Sequence, residues 1–161
     1  MALEKIDHND PNCQGRVYTW GYNDTSDYTY GGRLGNGEVD GDSPVPIRVL
    51  AGQQDPNHPT ANLRNIISIK AGEGHCMALE KFDANDSNCK GRVYTWGDNS
   101  YGQLGNGTTY HFPTPLPVKV VGPNSTGYLK DIVFISAGYW HNLAVDKWGT
   151  VWVWGKGSNH E

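Results

Sequence analysis

Basic runs, long apolar runs and helical periodicity are what this chain of 161 residues has least of. Charged residues make up only 19% of it and the formal net charge is −4, with no Lys/Arg cluster, which argues against a nucleic-acid footprint written along the chain. No apolar stretch reaches membrane-span length, and no charged segment leads into an apolar one at the start, so the chain as given shows neither a span nor an export signal. Gly or Pro interrupts every window before a helical period can run for three turns. Catalytic signatures are missing as well. Gly41-Asp-Ser-Pro44 is not a Gly-x-Ser-x-Gly elbow, no two Cys or His have zinc spacing, and no glycine cluster continues into a phosphate-binding loop. With 3 cysteines and no Cys-x-x-Cys, two readings stay open. Cys13 and Cys89, in equivalent loops, join in a disulfide or redox site, or they and Cys76 are small loop and buried thiols.

What the chain has instead is glycine and large aromatics: 21 Gly, 6 Trp and 9 Tyr. They are ordered in repeats. Gly15-Arg-Val-Tyr-Thr-Trp-Gly21 recurs as Gly91 to Gly97, and Gly32-Arg-Leu-Gly-Asn-Gly37 returns as Gly102-Gln-Leu-Gly-Asn-Gly107. A third copy of the first motif is Gly149-Thr-Val-Trp-Val-Trp-Gly155. Ala71-Gly-Glu-Gly-His75 is echoed by Ala137-Gly-Tyr-Trp-His141, and 63–81 aligns on 129–147 without gaps. Copies differ in length only between motifs, where surface loops tolerate insertion. Such self-similarity is the mark of repeated supersecondary units.

Alternating Val, Thr and aromatics predict short strands over 2–6, 16–20, 44–50, 63–71, 75–82, 92–96, 115–121, 132–137, 141–146 and 150–154. The prolines of 44–50 and 115–121 confine those two to sheet edges. The apolar runs 63–71 and 132–137 read as strands buried on both faces. The segment 98–112 reads as a loop. Four strand types in fixed order make a four-stranded antiparallel unit, which is a propeller blade. The expected fold is all-β, a partial β-propeller of about two and a half blades: a first blade over 1–50 without its first strand, a complete one over 63–121, and a last one over 129–161 without its last strand. Trp20, Trp96 and Trp154 are expected as wedges between blades.

The string Gly-x-Val-Tyr-x-Trp-Gly, Gly-x-Leu-Gly-x-Gly, Pro-x-Pro-Val and Ile-x-x-Ala-Gly-x-x-His-x-x-Ala-Leu resembles the repeat of the regulator of chromosome condensation family over nearly the whole chain. The resemblance implies a β-propeller, usually of seven blades, that recognises proteins through loops on one face and carries no enzymatic chemistry of its own. Family members act as exchange factors for a small nuclear GTPase, as modules in ubiquitin ligases, and as secreted or cell-surface binding proteins. Two and a half blades cannot close a ring, so the chain is expected to be part of a larger propeller or to associate with copies of itself.

Candidate contacts follow. The loops expected to carry Tyr22, Tyr28, Tyr30, Tyr101, Tyr110, His111 and Phe112 mix aromatics with Ser, Asn and Gly, a recognition-prone composition, although the same aromatics would also pack over blade ends. Asp7, Asn9, Asp83, Asn85 and Ser87 supply oxygens at a spacing that suits calcium, against which stand a missing sixth-position glycine and Tyr18 or Tyr94 where a bidentate Glu is needed. No other cofactor is implied. His75 and His141 are read as architectural, since recurrence in each unit marks the fold rather than a single site. Sequons begin at Asn23, Asn85, Asn106 and Asn124, acceptors only in a secreted protein, and so lean toward an extracellular or surface location. The expected function is non-enzymatic protein binding or scaffolding. The alternatives are an exchange factor for a small GTPase and a calcium-dependent extracellular surface or filament protein.

Overall fold

A computed structural model describes residues 1–6, 15–24, 31–82 and 90–157. Among the described residues the chain forms ten strands: β1 (Ala2–Leu3), β2 (Val17–Gly21), β3 (Ser43–Arg48), β4 (Ile66–Ala71), β5 (His75–Glu80), β6 (Val93–Asn99), β7 (Tyr110–Lys119), β8 (Ile132–Ala137), β9 (His141–Asp146) and β10 (Val151–Gly155). The only helical turns among those residues are two short 3₁₀ segments, Gly52–Gln54 and Pro123–Ser125. The strands build three antiparallel sheets, ordered β1-β2-β3, β4-β5-β6-β7 and β10-β9-β8. Equivalent registers recur. His75 faces Gly97 and Cys76 faces Trp96 across β5 and β6, as His141 faces Gly155 and Asn142 faces Trp154 across β9 and β10. This is an open, all-β stack of propeller blades.

The prolines act as expected. Pro44 and Pro46 lie on β3, and Pro113, Pro115 and Pro117 on β7, both outer strands of their sheets where a missing N–H costs no ladder bond. The apolar segments read as doubly buried strands do not behave so. On β4 only Ile66 is fully buried and Ile67 is exposed, and on β8 Val133 and Phe134 are exposed. Each is the first strand of its sheet with one neighbour, so half its surroundings are open. The strands buried throughout are β5 and β6, in the middle of the middle sheet. The 98–112 loop is also shorter than its composition suggests: β6 runs on to Asn99 and β7 begins at Tyr110, paired with it.

Period-two alternation splits the central sheet between two cores. Cys76, Ala78, Tyr94 and Trp96 turn toward the first sheet and pack with Val17, Val49 and Leu63. Met77, Leu79 and Val93 turn the other way and pack with Val120, Leu129, Ile135 and Ala144. A carboxylate anchors each hairpin at one repeated position. Glu4 pairs with Arg16 at 2.8 Å, Glu80 with Arg92 at 3.0 Å, and Asp146 accepts from the backbone of Trp148 and Thr150. Burial, with the Glu80 charge beside it, holds the Tyr94 phenol far above its usual range, so it stays protonated and donates to Glu80.

Candidate interaction surface

The joints between blades are built by the repeated tryptophans. Trp96 is completely buried and donates its indole N–H to the Arg33 carbonyl of the first blade at 2.9 Å. Trp154 makes the same bond to the Gln103 carbonyl of the second blade at 3.0 Å. Each indole lies on the Leu-Gly of a Gly-x-Leu-Gly turn. A Cβ added to Gly35 would stand 2.9 Å from the Trp96 indole nitrogen, and one on Gly105 2.7 Å from that of Trp154. Only glycine at positive φ lets the backbone come so close. Trp20, the third member of the series, remains 44% exposed, because no preceding turn receives it among the described residues.

Buried amides shape those turns. Asn99 takes the Leu104 N–H at 3.0 Å and gives its own NH₂ to the Thr108 carbonyl at 3.0 Å. Asn23 does the same for Leu34 in the first blade, bonding the Glu38 and Asp40 carbonyls. The Asn23 sequon therefore has its acceptor nitrogen engaged inside the protein, which removes it as a glycosylation site of the folded chain. Asn124 is exposed, Asn106 is half-buried, and Asn85 lies outside the described residues.

His75 crosses a joint. Asn142 of the third blade donates its Nδ2 to the Gln103 carbonyl at 2.6 Å, which turns its Oδ1 toward His75 Nε2 at 2.8 Å. His75 is thus the donor, neutral, with the proton on Nε2 and an acceptor Nδ1 that has no partner among the described residues. Burial lowers its pKa below 6.5 and His141 adds to that, against the Asn142 bond and the Asp98 charge. The partner is a side chain of the next blade. His141, at the same position of the last blade, is exposed.

The aromatic candidates separate. Tyr22 is exposed, donates to Asp24 at 3.2 Å and lies under the Arg33 guanidinium. Tyr110, His111 and Phe112 sit on the edge strand β7 rather than in a loop, and the exposed Tyr110 and Phe112 rings stand 6.1 Å apart. Tyr101 joins a cluster that motif reading passes over. Its ring is 5.4 Å from Trp140, which meets Tyr139 edge-on at 4.6 Å. Tyr139 and Trp140 fill the two variable positions of Ala-Gly-x-x-His, where the previous unit has Glu73 and Gly74. That departure between copies was the available signal. Tyr28, Tyr30 and the oxygen-bearing residues Asp7, Asn9, Asp83, Asn85 and Ser87 lie outside the described residues, as do Cys13 and Cys89. Among the described residues no three His, Cys, Asp or Glu stand close enough to hold a metal. Cys76 is a buried free thiol, pushed up to about 12 by burial.

Comparison with known proteins agrees with this geometry. The profile of the regulator of chromosome condensation (RCC1) repeat matches residues 14–79 and 90–145, and a second profile of the same repeat matches 132–161. The chain is 31% identical over 144 residues to the E3 ubiquitin-protein ligase HERC2 of Homo sapiens, covering 89% of this chain and 2% of that protein. It is 32% identical over 138 residues to the ultraviolet-B receptor UVR8 of Arabidopsis thaliana, covering 82% and 26%. It is 26% identical over its whole length to the mitochondrial RCC1 domain-containing protein RUG3 of Arabidopsis thaliana, 28% of that chain. Among solved structures, human WBSCR16 superposes with a TM-score of 0.66 at 20% identity, covering 98% of this chain and 32% of that one. Yeast RCC1 (Prp20) bound to Kap60 superposes with a TM-score of 0.58 at 23% identity, covering 88% and 28%.

Proposed function

Since the chain belongs to the regulator of chromosome condensation repeat family, we propose that it is a non-enzymatic protein-binding module, joined through its end blades to further blades or to copies of itself. Relatives with unrelated printed activities share this stretch as a minor part of their length, which suits a recognition unit better than a catalytic one. The observation that carries the reading is the contrast between the middle blade and its neighbours. Met77, Leu79 and Val93 are covered by the third blade. The equivalent positions on that blade, Leu143, Val145 and Val151, lie outside the buried cluster, and Val153, opposite Leu143, is 66% exposed. At the other end Tyr18 and Trp20 stand where Tyr94 and Trp96 are buried. Both ends thus offer halves of a joint that the molecule itself completes twice.

Light scattering on the purified chain tests this. Association that rises with concentration, and that falls when Val151 and Val153 are both replaced by lysine, is the expected result. A monodisperse monomer at all concentrations would contradict it. The exchange-factor alternative is separated by a nucleotide-release assay with a small GTPase, in which a protein-binding or scaffolding module leaves the release rate unchanged.

A further inference from the structure

One surface feature lies at the rim of the joint between the second and third blades, outside both buried cores. The ammonium of Lys156 lies 3.9 Å from the centre of the Trp140 ring and 4.3 Å from that of Tyr101. Its backbone N–H is fixed at 2.9 Å to the Trp140 carbonyl, so the side chain starts from a defined place beside the rings. Other cations of this chain also approach aromatics, but Lys147, which touches Phe82 and Trp148, is bonded to Asp131 at 3.0 Å. Lys156 is exposed and meets no carboxylate among the described residues, and the Trp140 and Tyr101 rings receive its charge. A cation over two ring faces is the geometry in which aromatic quadrupoles attract positive charge.

Comparison of the repeats shows that the fold does not require this cluster. Where the third blade has Tyr139 and Trp140, the second has Glu73 and Gly74. Where the third has Lys156 after its Trp-Gly, the second has Asp98, turned inward to accept from Ser100 and Gln103. Tyr101 takes the place of Gly31 in the first blade. All are differences at positions where the architecture is satisfied without them. At one edge of the cluster Tyr139 donates to one Glu73 oxygen, while the other, Glu73 Oε2, is buried without a hydrogen-bond partner among the described residues. The group therefore combines ring faces, a bound cation and a carboxylate bonded to one of the rings. The chain around it has a net charge of −4.

We propose that Tyr101, Tyr139 and Trp140, with Glu73 at their edge, form a recognition site for a lysine or arginine side chain of a partner protein, and that Lys156 is an internal stand-in which that side chain displaces. This rests on the protein-binding reading above, and because Val153 lines the same pocket as Trp140 and Lys156, peptide binding is read on the chain without end-face substitutions, at a dilution where it does not associate, so that the two can fail separately. The acid at Glu73 and the negative charge of the whole chain favour a basic segment over an acidic one.

The test is fluorescence anisotropy with three labelled, end-blocked hexapeptides of glycine and serine, carrying two arginines, two glutamates or no charge, and with a labelled single-stranded oligonucleotide. The proposal expects the arginine peptide to bind best, in competition with free arginine amide. Trp140→Ala and Tyr101→Ala are each expected to weaken it about tenfold, within the range of one exposed cation–π contact or a little more. Glu73→Gln, which keeps a partner for Tyr139, should weaken it severalfold. Lys156→Met should strengthen it severalfold, a gain that no misfolded variant would produce. Preference for the glutamate peptide with loss of binding in Lys156→Met would overturn the proposal, as would equal binding of all peptides, binding of the oligonucleotide alone, or no binding at all.

Discussion

Trp96→Ala and Trp20→Ala are the same substitution at equivalent repeat positions, and the structure predicts very different costs. Trp96 is 0% exposed and Trp20 is 44% exposed. Burying an indole removes about 200 Å² from water, worth about 5 kcal/mol at about 25 cal/mol per Å². Measured truncations of buried Trp to Ala cost about 3–5 kcal/mol. The Arg33 carbonyl would also lose its best donor, though the Cys76 thiol at 3.6 Å remains beside it. We expect about 4 kcal/mol for Trp96→Ala and about 1–2 kcal/mol for Trp20→Ala, with the half-buried Trp154→Ala between them. For a chain of this length that is a drop in Tm of about 8–16 °C for Trp96→Ala and a few degrees for Trp20→Ala. Urea and thermal unfolding followed by far-UV circular dichroism, at a dilution where the protein does not associate, measure both. Equal costs at the two positions would refute the assignment of Trp96 as a joint and Trp20 as an open end.

Three further outcomes can be checked on the same material. His75 is neutral in the folded state with its pKa below 6.5, so the unfolded chain binds the extra proton first as pH falls. Stability should be full above about pH 6.5 and decline below it, down to the folded pKa, with a slope of up to about 1.4 kcal/mol per pH unit that disappears in His75→Gln. Gly105→Ala, at φ +59° and with a Cβ 2.7 Å from the Trp154 indole, should cost about 1–3 kcal/mol in urea unfolding, whereas Gly127→Ala meets nothing within 4 Å and should cost only its backbone strain. Cys76, buried with its thiol pushed up to about 12, should escape iodoacetamide in native protein and react once denatured, as read by peptide mass mapping.

The fold was legible because the repeat supplies several readings of one unit. Val-Tyr-Thr-Trp alternation marks a strand, Pro-x-Pro marks its outer neighbour, and Leu-Gly marks the turn that receives an indole, each recurring in order. What failed was burial. The apolar composition of 63–71 and 132–137 says nothing of how many neighbours a strand has, and only the sheet order puts β4 and β8 at an edge. Likewise Tyr110 and Phe112 look like loop residues until their pairing with β6 is seen. The rim cluster was illegible for a related reason. Tyr101, Tyr139 and Trp140 come from different blades, and a chain-order reading cannot bring them together.

By itself the sequence determined the local grammar of this protein: strand, turn, edge and wedge follow from period-two alternation, proline's missing donor and glycine's missing Cβ, all of which act over a few residues. The tertiary structure alone decided which copies of each motif are satisfied. The same tryptophan is core at position 96 and half open at position 20, and the same histidine is buried at 75 and exposed at 141. Burial is a property of the neighbouring blade, and the residues of one blade do not encode whether another stands beside it.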